Sequence, residues 1–183
     1  MKMKSIAITA AFILVAGASA TAQTHQATPT AAQTDSRDAT REKLRTVLAE
    51  TGPKIKVTFR QSDKQPYNFV GLMKEGLTNA DSFEIVILVG DQETIHFRIF
   101  PKYKGAYINV DKASDRAGLL RQMVRLSDKN FLYWGADESF DVFAGYNFTL
   151  ESGFPKESVN VVLNSIKNLD EFIGQMKSSI DGN

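Results

Sequence analysis

The chain has no cysteine, which excludes disulfides, thiol nucleophiles and thiolate metal sites and leaves stability to the hydrophobic core. Histidine is nearly as scarce. His25 stands in a Thr-, Ala- and Gln-rich stretch with nothing to hold it in place, and His96 stands alone in an alternating strand pattern. The usual acid or base of neutral-pH catalysis is therefore missing, and a two-histidine zinc site is not expected. An excess of charge of one sign is missing too. A formal net charge of +1 excludes both a broad positive field for nucleic acid and a large acidic surface. GxGxxG, a glycine-rich loop ending in GK[ST], and GxSxG are all absent. No catalytic centre, cofactor site or metal site is expected from these residues.

What is present begins at the N-terminus. Lys2 and Lys4 precede an apolar run over residues 6–18, and small residues follow at Ala18, Ser19, Ala20, Thr21 and Ala22, the order of a secretory signal peptide. The run is shorter than the roughly 20 residues a membrane span needs, and no charge cluster follows to stop transfer. The frames Ala18/Ala20 and Ala20/Ala22 place the mature start at Thr21 or Gln23. Residues 1–22 are thus expected to be a cleaved signal peptide, with a periplasmic or secreted product and no integral membrane span after cleavage. Residues 23–37 are too poor in apolar side chains to offset their ordering entropy and read as a disordered tether. Residues 38–183 are of ordinary size for a single domain.

Within that domain, Leu44, Val47 and Leu48 recur at helical spacing over 39–50, and Gly52 and Pro53 close the helix. Residues 54–60 alternate as a strand with Ile55, Val57 and Phe59 on one face, and residues 67–73 form a weaker strand. Residues 82–89 are apolar on both faces, so this strand is expected to be central and covered on both sides. After the turn at Gly90-Asp91, residues 94–100 pair back with Ile95, Phe97 and Ile99 inward. A basic loop over 101–105 leads to a short strand at 107–110. Ser114 or Asp111 caps a helix over 115–127, whose Ala117, Leu120, Val124 stripe lies beside Leu119, Met123 and Leu126 in one wide sheet-covering face. Residues 131–134 and 142–150 make a hairpin. Pro155 opens a terminal helical region that Asn168 and Asp170 could divide in two. This order predicts an α+β fold, an antiparallel β-sheet packed against helices.

Three clusters merit a chemical reading. Lys102, Tyr103, Lys104 and Tyr107 interleave positive charge with aromatic rings, suited to an acidic partner or lipid headgroups and also to a solvated turn. Tyr133 and Trp134 point to opposite faces of a strand, so one is expected in the core and the other is free to anchor a partner. Asp137, Ser139 and Asp141 alternate like the start of a calcium loop, but the glycine at the sixth position and the acid at the twelfth are absent.

Residues 131–155, FLYWGADESFDVFAGYNFTLESGFP, together with Leu119-Leu120 and Asn130 before them, resemble the YbjN family. This bacterial group is described as sensory transduction regulators and is similar in fold to type III secretion chaperones. The likeness extends over about residues 40–180. The chain departs from the group by its signal-like leader and by Ser152-Gly153 where paired glycines are common. The resemblance implies a secretion-chaperone-like platform that accepts an amphipathic segment of another protein, and it supplies no catalytic residue. The expected function is a non-enzymatic periplasmic binding or accessory protein, chaperone-like or regulatory, with a protein partner or as a homodimer, and without nucleic acid. The alternatives are a small-molecule or lipid carrier using a sheet–helix groove and, less favoured, an unrecognised enzyme built on Asp137 and Asp141.

Overall fold

The structure, a computed structural model, describes residues 31–92 and 94–182, so the expected signal peptide and the first part of the expected tether lie outside the described residues. Helix α1 (Ala31–Thr51) starts well before the apolar spacing does. Residues 31–37, read from sequence as tether, belong to it. The Arg37 guanidinium explains part of this: it donates to the Val89 carbonyl through Nε (2.9 Å) and Nη2 (2.7 Å) and lies 3.6 Å from the centre of the Tyr67 ring. Such long-range contacts leave no periodicity in sequence. Leu44, Val47 and Leu48 form the buried stripe as expected.

Gly52 and Pro53 end α1, but the chain enters a 3-10 turn (Gly52–Ile55) rather than a strand. Lys56 follows with φ 58° and returns its N–H to the Gly52 and Pro53 carbonyls, and the Val57 N–H bonds the Gly52 carbonyl at 2.8 Å. Donors that a ladder would need are spent on closing the helix end. The strand expected over 54–60 therefore shrinks to β1 (Arg60–Gln61). Its alternation survives as burial, with Val57 in the core and Ile55 and Phe59 packed against it.

Five further strands build the sheet: β2 (Asn68–Met73), β3 (Ser82–Val89), β4 (Thr94–Tyr103), β6 (Tyr133–Ala136) and β7 (Val142–Thr149), with the short β5 (Ala106–Tyr107) paired only to β4. The order is β1-β2-β3-β4-β7-β6, and every pair is antiparallel. The basic stretch expected as a loop is mostly strand. Pro101 sits in β4 beyond the last β7 pair, Ile99↔Ala144, where a missing N–H costs no ladder bond. Lys104 and Gly105, with φ of 53° and 81°, then make a tight two-residue turn into β5. The short strand expected over 107–110 stops at Tyr107 and gives way to a 3-10 turn (Val110–Lys112) capped by Asn109.

Helix α2 (Arg116–Lys129) is capped by Asp115 rather than Ser114 or Asp111. Its Oδ1 accepts the Gly118 N–H at 2.8 Å, a contact of about 1 kcal/mol. Leu119, Met123 and Leu126 are buried, whereas Leu120 and Val124 are exposed, Val124 at 73%. The wide sheet-covering face is thus half used, because α2 lies over the edge strand β6 and against α4, and among the described residues its other flank stays exposed. The terminal region, left open in sequence between one helix and two, divides into α3 (Lys156–Ser165), a 3-10 turn (Ile166–Asn168) and α4 (Leu169–Asp181). Asn168 makes no side-chain cap bond, and the Asp170 carboxylate reaches instead to the loop before β3.

The core lies between the helices and one face of the sheet. Phe83, Ile85, Ile87, Ile95, Phe97 and Ile99 meet Leu44, Leu119, Leu163, Leu169 and Ile173 in one buried cluster. This corrects the expectation for β3. Its alternate residues Glu84, Val86 and Leu88 are only partly buried, since among the described residues no helix covers the outer face.

Candidate functional site

Antiparallel register decides what shares the outer face. The partners Lys102↔Tyr107, Glu84↔Phe100, Val86↔Arg98 and Arg98↔Gly145↔Tyr133 place alternate residues of five strands side by side. The result is a line of rings across the sheet. Tyr107 meets Phe100 edge-on at 5.9 Å between centroids, Phe100 meets Phe143 at 5.6 Å, and Phe143 meets Tyr133 edge-on at 6.1 Å. Pairs of this kind contribute about 0.5–1.5 kcal/mol each beyond their buried area.

Two glycines allow the rings to lie down on the backbone. A Cβ on Gly145 would stand 2.6 Å from Tyr133 Cζ, and one on Gly135 would stand 3.1 Å from Phe143 Cζ. Aromatic side chains thereby cover glycine positions near the sheet edge. Phe143 is buried by its neighbours, while Tyr133 stays 39% exposed.

Positive charge frames this platform. The Arg98 guanidinium sits 5.0 Å from the Phe143 ring centre, and Lys102 Nζ sits 4.5 Å from that of Tyr107. Glu84 is the counter-charge: it accepts from Tyr107 Oη at 2.7 Å and pairs with Lys102 Nζ at 3.2 Å. Burial and the bond to Glu84 both raise the Tyr107 phenol above its usual range. For Lys102, burial would lower the ammonium, and its pairing with Glu84 outweighs this and raises it. Both therefore keep their protons at neutral pH. Arg98 forms no ion pair among the described residues, so its charge remains available on the open side.

The six residues expected at a partner surface are divided by the structure. Lys102, Tyr107 and Tyr133 come together on the outer face. Tyr103 and Lys104 turn toward the end of α4, where Asp181 accepts from Tyr103 Oη and Lys104 Nζ, both at 2.8 Å. The hydrogen bonds from Lys104 and Tyr103 hold the Asp181 carboxyl below the usual carboxylate range. Trp134 is the inward member of its pair and packs edge-on against Phe172 of α4. Sequence reading missed Arg98, Phe100 and Phe143, although glycines set among aromatic residues in both hairpin arms were a visible sign.

The remaining candidates are held in structural roles. Asp137 Oδ1 accepts from the Ser139 and Asp141 N–H groups, each at 2.9 Å, and Asp141 Oδ1 accepts from Asn109 Nδ2. These carboxylates close a turn. His96 lies between Thr94 Oγ1 and Asn147 Oδ1, each 2.8 Å from a ring nitrogen. Among the described residues, no group of three or more His, Cys, Asp or Glu is placed to hold a metal, and no helix is long and apolar enough to cross a membrane.

No protein-family model matches the chain, so the YbjN likeness of residues 131–155 stands without one. No curated protein matches it either. Among solved structures the chain is similar to one in the crystal structure of the ExsC-ExsE complex, with 16% identity, 74% of this chain and 94% of that chain covered, and a TM-score of 0.43.

Proposed function

We propose that this protein is a non-enzymatic accessory protein that receives a segment of another protein on the outer face of its sheet, in the periplasm or outside the cell after removal of residues 1–22. The observation that carries this reading is the helix-free aromatic line Tyr107–Phe100–Phe143–Tyr133 with Arg98 left uncompensated beside it. Rings and arginine are the side chains that most often dominate protein–protein binding energy. The cations imply a segment that carries carboxylates beside aromatic or aliphatic residues. The YbjN likeness adds the expectation of a chaperone-like or regulatory role, and the exposed flank of α2 is where a homodimer would form.

The carrier reading is less favoured, because the space between the sheet and the terminal helices is filled by Ile85, Phe97, Leu163, Ile166 and Ile173. Capture from envelope extract, scored by mass spectrometry, tests the choice. Arg98→Glu and Tyr133→Ala should each weaken capture of the same partner by roughly tenfold or more, with both variants still folded by circular dichroism at the assay temperature. Val124→Lys, on the helical side, should leave it intact. Capture indifferent to both outer-face changes would sink the proposal, and a small molecule retained in native mass spectra by wild type and variants alike would favour a carrier.

A further inference from the structure

A second charged feature lies on the helix side of the sheet, away from the outer face. Lys54, Lys56 and Lys167 line one pocket of about 210 Å³ with a single acid, Glu75, above an apolar floor of Ile55 and Met73. In sequence Lys167 is far from the other two. The turn after α1 supplies two of the lysines, and the turn between α3 and α4 supplies the third. Lys56 Nζ pairs with Glu75 at 2.6 Å, whereas Lys54 and Lys167 reach no carboxylate among the described residues. Among the residues that line this pocket, positive charge therefore exceeds negative by two. Asp170 and Glu171 line the adjoining depression beyond Lys167, but Asp170 is occupied by backbone N–H groups of the loop at 78–80.

Two residues of positive φ border this cleft. Gly76 has φ 74°, and a Cβ there would stand 2.9 Å from Lys167 Nζ, so a side chain would push the ammonium from its place. Lys56 holds φ 58°, a conformation that usually selects glycine or asparagine. That conformation closes the turn after α1 and sets the Lys56 side chain at the rim of the pocket, with its ammonium on Glu75.

We propose that this pocket binds a phosphate group, as inorganic phosphate, a phosphomonoester or a lipid headgroup. Ammonium groups act as compact point charges that suit a dianion approached from several sides. The volume is below the roughly 300–1,000 Å³ of drug-sized sites, so the ligand is small. Ile55 and Met73 offer apolar contact to the carbon next to the phosphate. The site uses no residue of the outer face, so it stands or fails independently of the partner reading.

The test is titration of the isotope-labelled mature protein, followed by amide NMR, with inorganic phosphate and phenyl phosphate, each against sodium chloride at matched ionic strength. Sedimentation with phosphatidylglycerol vesicles forms the third arm. Saturable shifts are expected at the amides of Lys56, Gly76 and Lys167. A Lys54→Gln/Lys167→Gln double variant, checked for folding by circular dichroism, should bind roughly tenfold or more weakly. Arginine at both positions should restore binding, and Lys43→Gln should change nothing. Lysine-dependent binding of the soluble phosphates identifies a small-molecule ligand, and lysine-dependent binding of vesicles alone identifies a headgroup; both support the site. Shifts that follow ionic strength only, or binding unchanged in the double variant, would overturn it.

Discussion

Asp170 makes one of the longest-range connections in the molecule through a single side chain. Its carboxylate accepts from the Thr78 N–H at 2.7 Å, the Ala80 N–H at 2.8 Å and the Asn79 N–H at 3.0 Å, fixing the loop ahead of β3 to the start of α4. The residue is 7% exposed. Burial by itself would raise its carboxyl, but the backbone donors of Ala80, Thr78 and Asn79 and the Asn79 amide outweigh this and hold it below the usual carboxylate range. Asp170→Ala should cost about 2–4 kcal/mol, read as a lower urea midpoint with an unchanged slope. Asp170→Asn should cost nearly as much, because one acceptor becomes a donor facing other donors. The folded group titrates below its unfolded value of about 3.9, so between the two the unfolded chain binds more protons and stability rises with pH. The contribution is present above about pH 4 and is lost as pH falls through the folded value. An Asp170→Asn protein should show a shallower acid dependence over that window.

Helix α2 shows the same division at the scale of an element. Leu119 and Leu120 are neighbours in sequence, yet Leu119 is fully buried and Leu120 is 47% exposed. Leu119→Ala should destabilise by about 2–5 kcal/mol, since it opens a cavity that the surrounding core fills only partly. Val124→Lys on the bare flank should stay within about 0.5 kcal/mol of wild type. Chemical denaturation of the two variants checks both. Equal losses at the two positions would mean that the flank is covered in solution, and light scattering would then have to show a dimer. Periodicity revealed that α2 has apolar residues over a wide arc. Which part of the arc is covered depends on α2 sitting at the edge strand β6, and no local pattern carries that information.

For the molecule as a whole, one buried cluster joins α1 at Leu44 to α4 at Met176 through every long strand. A core without a division predicts a single cooperative transition. Trp134, the sole tryptophan, reports on the edge beneath α2 and α4, while far-ultraviolet circular dichroism reports on the helices together. The two signals should coincide across urea unfolding. A fluorescence transition that precedes the other would show that the β6–α2 edge opens on its own, near the proposed partner face.

Composition, periodicity and turn residues determined on their own that the chain forms an antiparallel α+β domain with helices at both ends, because alternation and helical spacing are local properties of the backbone. Strands β3 and β7, α2 and the helical character of the terminal region were legible for that reason. The short β1, the early start of α1 and the turn at Lys104-Gly105 were decided by hydrogen bonds and close contacts that periodicity does not carry. Only the tertiary structure gathered Arg98, Phe100, Phe143 and Tyr133 onto one face, and Lys54, Lys56 and Lys167 around one pocket. Register and helix placement bring such residues together across long stretches of chain, and those depend on how the whole core packs.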